Sequence, residues 1–191
     1  MLLAFCWLKC YLEYFNLISR HKRAVLFRTA LLLCKGSERK IKLILDNDVV
    51  DRYNQYYFSQ HPRAKKKQIE HPYHPSVNVW SIKPRIQMNA MKQSWKDFII
   101  WWIKDLGYEN RKLDNVEIIY DIYHPTKRRT DPDNYTPKFI HDGFVESGFL
   151  VDDDREHLHS LTIRCHVDKD NPRTEIEIVI YENKGEKGNE N

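Results

Sequence analysis

The sequence predicts an α+β fold, a single domain in which helices pack on one mixed β-sheet. The chain has 191 residues, enough to bury one hydrophobic core. Apolar residues make up 41 % of it and charged residues 30 %, proportions typical of a globular domain. Segments with strand-like and helix-like spacing alternate along the chain, and two strands follow one another at the end. This order favours α+β over an all-helical or all-strand architecture.

The first half of the domain contains four predicted segments. Residues 40–45 alternate charged and apolar side chains, which predicts a strand. Residues 46–48 offer aspartates as N-caps for a helix over residues 49–58. Prolines and a lysine run mark residues 61–74 as a linker. Residues 77–82 predict a second, short strand.

A longer helix and a strand follow. Asn89 is the predicted cap of a helix that runs to Leu106 and stops at Gly107. Its apolar residues recur at helical spacing, so we expect them in the core rather than on a stacking surface. Residues 115–124 predict a strand. Its alternate positions should face one way and be buried: Val116, Ile118, Tyr120 and Ile122.

The last segments are a helix and two strands. Thr136 is the predicted N-cap, Pro137 the first helical residue and Gly148 the stop. Alternating apolar residues then mark two strands, one at 161–167 and one at 176–180. Because only a short turn separates them, we expect these two strands to form a hairpin.

Residues 1–38 form an N-terminal extension of unknown role, residues 39–182 the domain and residues 183–191 a disordered tail. The apolar stretch 1–18 is interrupted by Lys9 and Glu13, so a membrane span or a signal peptide is not expected. The four cysteines are too scattered for a disulfide framework. We therefore expect reduced thiols in a soluble, cytoplasmic protein. These cysteines are Cys6, Cys10, Cys34 and Cys165.

The charge is unevenly distributed. Residues 60–113 carry eleven Lys and Arg against four Asp and Glu, whereas residues 114–191 carry ten against eighteen. The basic part is compatible with a polyanionic partner or with an ordinary solvated surface. Acidic residues gathered on a basic protein also suggest a cation site.

Two groups of aspartates carry the strongest chemical signal. Asp131 and Asp133 precede the last helix, and Asp152, Asp153 and Asp154 follow it. If the chain is extended at the first pair, both carboxylates project to the same side. Clustered carboxylates repel one another unless a cation lies between them, and Mg²⁺ prefers such oxygen ligands. A magnesium site is therefore one interpretation.

Other interpretations of the same residues remain open. Asp-Pro-Asp-Asn is a common turn composition, and consecutive aspartates often form a solvated loop. The glycine and distal glutamate of a calcium-binding EF-hand loop are missing. His157 and His159 could bind zinc together with an acid, and Cys6 and Cys10 lack a second ligand pair.

The stretch 127–157 resembles the RusA-like family of Holliday junction resolvases. That family carries a basic residue, Asp-x-Asp-Asn, a lysine, an aspartate four residues later, a glycine and an aspartate pair. The matching residues here are Arg128 and Arg129, Asp131, Asp133, Asn134, Lys138, Asp142, Gly148, Asp152 and Asp153. Similarity is concentrated in residues 115–167. The gap between Asp133 and Lys138 is one residue longer than in the family pattern, and Pro137 fills it.

The resemblance implies a homodimer that binds four-way DNA junctions and cleaves two strands symmetrically with Mg²⁺, or with Mn²⁺ as an alternative. It implies that Asp131, Asp133 and Asp153 hold the metal, with Asp152 as a further ligand. Lys138 would stabilise charge, while Asn134 and Asp142 are secondary candidates. Basic side chains would contact the DNA: Lys127, Arg128, Arg129, Lys65, Lys66 and Lys67.

Two alternatives from other functional classes remain. The chain could be a non-catalytic DNA-binding module whose acidic cluster holds a structural cation. It could instead be a small interaction protein with ordinary acidic loops, which would show no salt-dependent binding to DNA.

Overall fold

Four strands form one mixed β-sheet in the part of the chain that the computed structural model describes, residues 38–181. The sheet has the strand order β1-β4-β2-β3, in which β2 runs parallel to β3 and antiparallel to β4, and β4 runs antiparallel to β1. The predicted α+β class with a mixed sheet is therefore confirmed. The strands are β1 (Glu38–Asp46), β2 (Val116–His124), β3 (Leu158–Val167) and β4 (Arg173–Tyr181).

The predicted extension, residues 1–38, and the predicted tail, residues 183–191, lie outside the described residues. Glu38 is the exception, because β1 begins at this residue. Three of the four cysteines also fall in that N-terminal part, and Cys165 is a free thiol in β3.

The predicted hairpin between the last two strands is wrong. β2 lies between β3 and β4, so these two strands are not neighbours. The connection crosses the end of β2, where the N–H of Asp168 donates to the carbonyl of His124 at 2.8 Å. Arg173 then lies over the ring of Tyr123, with its guanidinium carbon 3.7 Å from the ring centroid. The turn composition predicted that the chain reverses direction here, but not that β4 pairs with β1 and β2.

Four α-helices accompany the sheet in the described residues: α1 (Asn47–Gln60), α2 (Val77–Trp80), α3 (Arg85–Asp105) and α4 (Lys138–Glu146). The Asp46 side chain accepts a hydrogen bond from the N–H of Val49 at 3.1 Å, so the predicted cap of α1 is confirmed. None of the described helices is long and apolar enough to cross a membrane.

Two predictions for the middle of the chain are wrong, one about the type of an element and one about where a helix begins. Residues 77–82 contain the single-turn helix α2 rather than a strand. The following helix α3 begins at Arg85, four residues before the predicted cap Asn89. Pro84 explains this start, since its fixed φ of −52° suits the position before a helix and its missing N–H costs nothing there.

The core lies between one face of the sheet and helices α3 and α4. The predicted inward residues of β2 are all at most 2 % exposed, as are Phe98 and Trp102 of α3. The helical aromatics are therefore core residues, as predicted. Gly143 lets α4 approach α3 closely, because a Cβ atom at this position would lie 2.6 Å from the Cβ atom of Ile99. Helix α4, which begins at the candidate residue Lys138, is thereby packed closely against α3.

Candidate functional site

Asp131 and Asp133 lie on the loop that follows β2, where the chain forms a 3-10 helix over Pro132–Tyr135. Asp131 is extended and precedes this helix, whereas Asp133 is inside it. The premise of an extended pair is therefore wrong, and the argument that both carboxylates project to one side does not apply. Both residues are exposed, and the Asp131 carboxylate lies 3.4 Å from the guanidinium of Arg129.

Helix α4 begins at Lys138, which is exposed at its first position. Pro137 is the cap residue in place of the predicted Thr136, so the extra residue leaves the lysine in the first turn. The N–H of Phe139, also in this turn, donates to the imidazole Nε2 of His74 at 3.2 Å. A side chain from the linker before α2 therefore satisfies a helix end that local residues leave open.

His74 is a structural position beside the candidate site that the sequence did not indicate. Its Nδ1 donates to the carbonyl of Pro75 at 2.8 Å, which leaves Nε2 as the acceptor for Phe139. Its ring lies between Trp95 and Phe139, and burial lowers the pKa of His74 to about 4. The imidazole is therefore neutral near neutral pH. No local pattern connects this residue to a helix 65 positions later.

Four carboxylates line one groove of about 410 Å³ beside α4, together with the side chains of Lys92 and Lys96. They belong to Asp142, Glu146, Asp152 and Asp153. Burial raises the pKa of Asp153, and the nearby charges of Asp152 and Asp142 raise it further. Lys138 opposes this shift. The mutual repulsion is of the kind that a bound cation would relieve.

Two ion pairs connect α4 to α3 beside this groove. Lys92 lies 3.0 Å from Asp142, and Lys96 lies 2.6 Å from Glu146. The resemblance implies only a secondary role for Asp142, and in the structure its carboxylate connects α4 to α3 through Lys92.

His141 is buried under the groove. Its Nδ1 lies 3.9 Å from a carboxylate oxygen of Asp153, too far for a hydrogen bond. Its Nε2 is buried without a hydrogen-bond partner among the described residues, as is the hydroxyl of Tyr120. Burial lowers the pKa of His141 to about 4. Asp153 thus approaches a neutral, buried ring on one side and two carboxylates on the other.

The two aspartate groups do not combine into a metal-ligand cluster. Across residues 38–181, no three His, Cys, Asp or Glu side chains are arranged to hold a metal ion. The donor chemistry nevertheless fits Mg²⁺, because every candidate ligand is a carboxylate oxygen. The structure therefore places Asp152 and Asp153 in one groove with Asp142, and leaves Asp131 and Asp133 on a separate turn.

The histidines considered for zinc have other partners. His157 Nδ1 lies 2.7 Å from the carboxylate of Asp114, and this contact raises the pKa of His157. His159 contacts the side-chain oxygen of Asn115. Both interactions connect the start of β3 to the residues before β2.

The predicted DNA-binding residues lie in two exposed segments. Lys127, Arg128 and Arg129 are exposed on the loop between β2 and the 3-10 helix. The second segment, Lys65, Lys66 and Lys67, is exposed in the linker, where Lys67 pairs with Asp51 at 2.9 Å. Asn134 is half-buried within the 3-10 helix, and its N–H donates to the carbonyl of Asp131 at 3.0 Å.

No protein-family model matches this chain, and comparison with curated proteins finds none that is significantly similar.

Proposed function

We propose that this chain is a magnesium-dependent, structure-selective endonuclease of the RusA-like type that resolves four-way DNA junctions. It would act in the cytoplasm, in DNA recombination, in repair or in the processing of phage DNA. The observation that supports this most is the position of Asp153, which shares a groove with Asp142 and Asp152. The positive charge of Lys138 also lowers the pKa of Asp153, against the effect of its acidic neighbours. Four members of the ordered family pattern thus lie around one helix.

Asp153 and Asp152 are the residues that would hold Mg²⁺ from the groove, and Asp131 and Asp133 would complete its ligands. A bound Mg²⁺ would supply an activated water and neutralise charge on a phosphodiester. Because Asp131 and Asp133 lie on a separate turn, the proposal requires the 3-10 helix to move toward Asp153 when DNA binds. Both carboxylates are exposed, but Tyr135 of the same 3-10 helix packs against the core with its ring 4.8 Å from that of His124, so this contact would have to rearrange.

The residues of the chain itself would position the DNA backbone. Lys138 lies in the first turn of α4, where its ammonium and the positive end of the helix dipole favour an anionic phosphate. Arg128 and Arg129 would hold the flanking phosphates just before the catalytic turn. His74 fixes the beginning of α4 and therefore the place from which Lys138 extends.

A homodimer fits the proposed substrate. A four-way junction has two-fold symmetry, so two identical active sites related by a two-fold axis can cut opposing strands in register. Symmetric cleavage is thus an expected property of the dimer rather than of one chain.

Cleavage of a mobile four-way junction by the full chain tests the proposal. We expect cutting with Mg²⁺ and none with EDTA. Asp133→Asn should bind the junction as tightly as the unmodified chain and fail to cut it. Asp170→Asn, in the turn between β3 and β4, is the matched control and should cut normally. Unchanged cleavage by Asp133→Asn would contradict the proposed function.

A non-catalytic DNA-binding module is the second candidate. It is favoured by the two exposed basic segments, residues 65–67 and 127–129, which could bind DNA without an assembled catalytic centre. This candidate predicts that the unmodified chain binds junctions in a salt-dependent manner but never cuts them with any divalent metal. The same cleavage experiment therefore separates the two functions.

A further inference from the structure

A second cavity lies beside the 3-10 helix and has no lining residue in common with the acidic groove. Its volume is about 570 Å³, and it is enclosed by the segment before α2, the beginning of α3 and the ring of Tyr135. That volume is within the range of sites for small organic groups. Tyr135 belongs to the same 3-10 helix as Asp133, so the cavity adjoins the proposed catalytic turn.

One wall of the cavity is a pair of stacked rings. His71 and Tyr73 lie nearly parallel, with their centroids 5.1 Å apart and an interplanar angle of 9°. Tyr73 is held in place by an edge-to-face contact with His124 at 4.9 Å. His71 is exposed, so the face of its ring that does not contact Tyr73 is accessible. A further planar group can extend this stack.

The floor of the cavity is rigid. His74 is fixed by its two hydrogen bonds, and Trp95 packs against it with ring centroids 5.5 Å apart. Both side chains are more than nine-tenths buried. Val79, on the opposite side, is about half exposed and offers apolar contact. A flat apolar ligand would therefore meet a preformed surface.

Charged groups line the same cavity. Lys67 and Lys83 contribute ammonium groups, and Glu70 contributes one carboxylate that can accept a hydrogen bond from a ring N–H such as that of thymine. The wider segment, residues 60–113, has eleven basic and four acidic side chains. Stacking rings combined with basic side chains are the features by which proteins hold single nucleotides.

We infer that this cavity binds an unpaired nucleobase of the DNA strand, stacked on His71, with its phosphate beside Lys83. The inference rests on the proposed function, because it takes the substrate to be DNA. It adds that the strand next to the cleavage site is held by a base as well as by its phosphates. A base bound against Tyr135 would fix that strand two residues away from Asp133.

Binding of fluorescent oligothymidine to the full chain in EDTA tests the inference without any cleavage. We expect His71→Ala to weaken binding about tenfold, which corresponds to the loss of one base-stacking contact. His61→Ala is the matched control, because His61 is also an exposed histidine stacked on a tyrosine, Tyr57, but lies outside the cavity. It should bind normally. Val79→Trp fills the cavity from its half-exposed side and should weaken binding as His71→Ala does.

An abasic strand of the same length provides the second measurement. The unmodified chain should bind it more weakly than oligothymidine, and His71→Ala should bind both strands equally. If the unmodified chain binds both strands alike, only the phosphates are recognised and the inference is wrong. Base-dependent binding without junction cleavage would overturn the proposed nuclease and leave the nucleobase site standing. Cleavage without base dependence would do the reverse.

Discussion

The imidazole Nε2 of His74 accepts a hydrogen bond from the backbone N–H of Phe139 at 3.2 Å, which connects two positions 65 residues apart. Through this contact the irregular segment before α2 becomes part of the beginning of α4. The same ring forms the floor of the second cavity. The position of Lys138 and the shape of the cavity therefore depend on one buried, neutral histidine.

Replacing His74 by Ala should lower the free energy of unfolding by about 3 kcal/mol. The variant leaves a cavity between Trp95 and Phe139 and an unpaired N–H at the helix end. Urea unfolding followed by circular dichroism measures the change. His61→Ala, an exposed position, should change stability by less than about 0.5 kcal/mol. Equal stability of the two variants would contradict the structural role of His74.

Acid should destabilise the fold through His74. Burial, together with the nearby charge of His141, lowers its pKa from 6.5 to about 4, although the hydrogen bond to the Pro75 carbonyl and the charge of Asp142 oppose this shift. Below pH 6.5 the unfolded chain binds a proton that the folded chain does not, so this part of the stability is lost as the pH falls toward 4. The loss amounts to about 3 kcal/mol at 1.36 kcal/mol per pKa unit.

Urea unfolding across this pH range measures the effect. His74→Gln replaces the imidazole by an amide that can still accept a hydrogen bond but does not titrate. The stability of this variant should therefore fall less steeply with decreasing pH. A slope identical to that of the unmodified chain would show that His74 is not the group responsible.

Mg²⁺ should raise the melting temperature of the unmodified chain, because a ligand that binds only the folded state stabilises it. Asp153→Asn should lose most of that rise, since this carboxylate is the central member of the acidic groove. Asp170→Asn removes a carboxylate outside the groove and should keep the rise. Differential scanning fluorimetry with and without Mg²⁺ provides the comparison. A rise of the same size in both variants would exclude a magnesium site at Asp153.

Gly143→Ala should destabilise the fold by about 3 kcal/mol, at the upper end for one added methyl group in a packed core. The new Cβ atom would lie 2.6 Å from Cβ and 2.7 Å from Cγ2 of Ile99, so α3 and α4 must separate. Gly107→Ala is the matched control. It meets no atom within 4 Å but has a φ of +71°, so only backbone strain of about 1 kcal/mol is expected. Thermal unfolding of both variants would test this order.

The sequence predicted those elements whose side chains signal burial locally. The alternation in β2 and the spacing of Trp95, Phe98 and Trp102 in α3 are confirmed. Residues 77–82 were predicted as a short strand, yet Pro84 and the start of α3 leave room for only one helical turn there. Periodicity identifies a buried face over long segments, and it fails over six residues.

Contacts between segments that are distant in the sequence could not be predicted from local sequence patterns. Nothing near β4 indicates that it pairs with β1 and β2 rather than with β3. Nothing near His74 indicates that it caps α4. Of the second acidic group, Asp152 and Asp153 line a groove with Asp142, but the turn carrying Asp131 and Asp133 is set by the local 3-10 geometry. The family likeness and the nuclease activity remain predictions.

The place of β4 in the sheet has a consequence for biosynthesis. Among the described strands β1 pairs only with β4, and the pairing joins Glu38 to Tyr181. While a ribosome is still translating the intervening residues, the apolar side chains of Leu43 and Leu45 have no sheet to enter. Strand β1 of a nascent chain can therefore pair only after β4 has been synthesised. Until then its apolar side chains are exposed, and the chain can aggregate or bind chaperones.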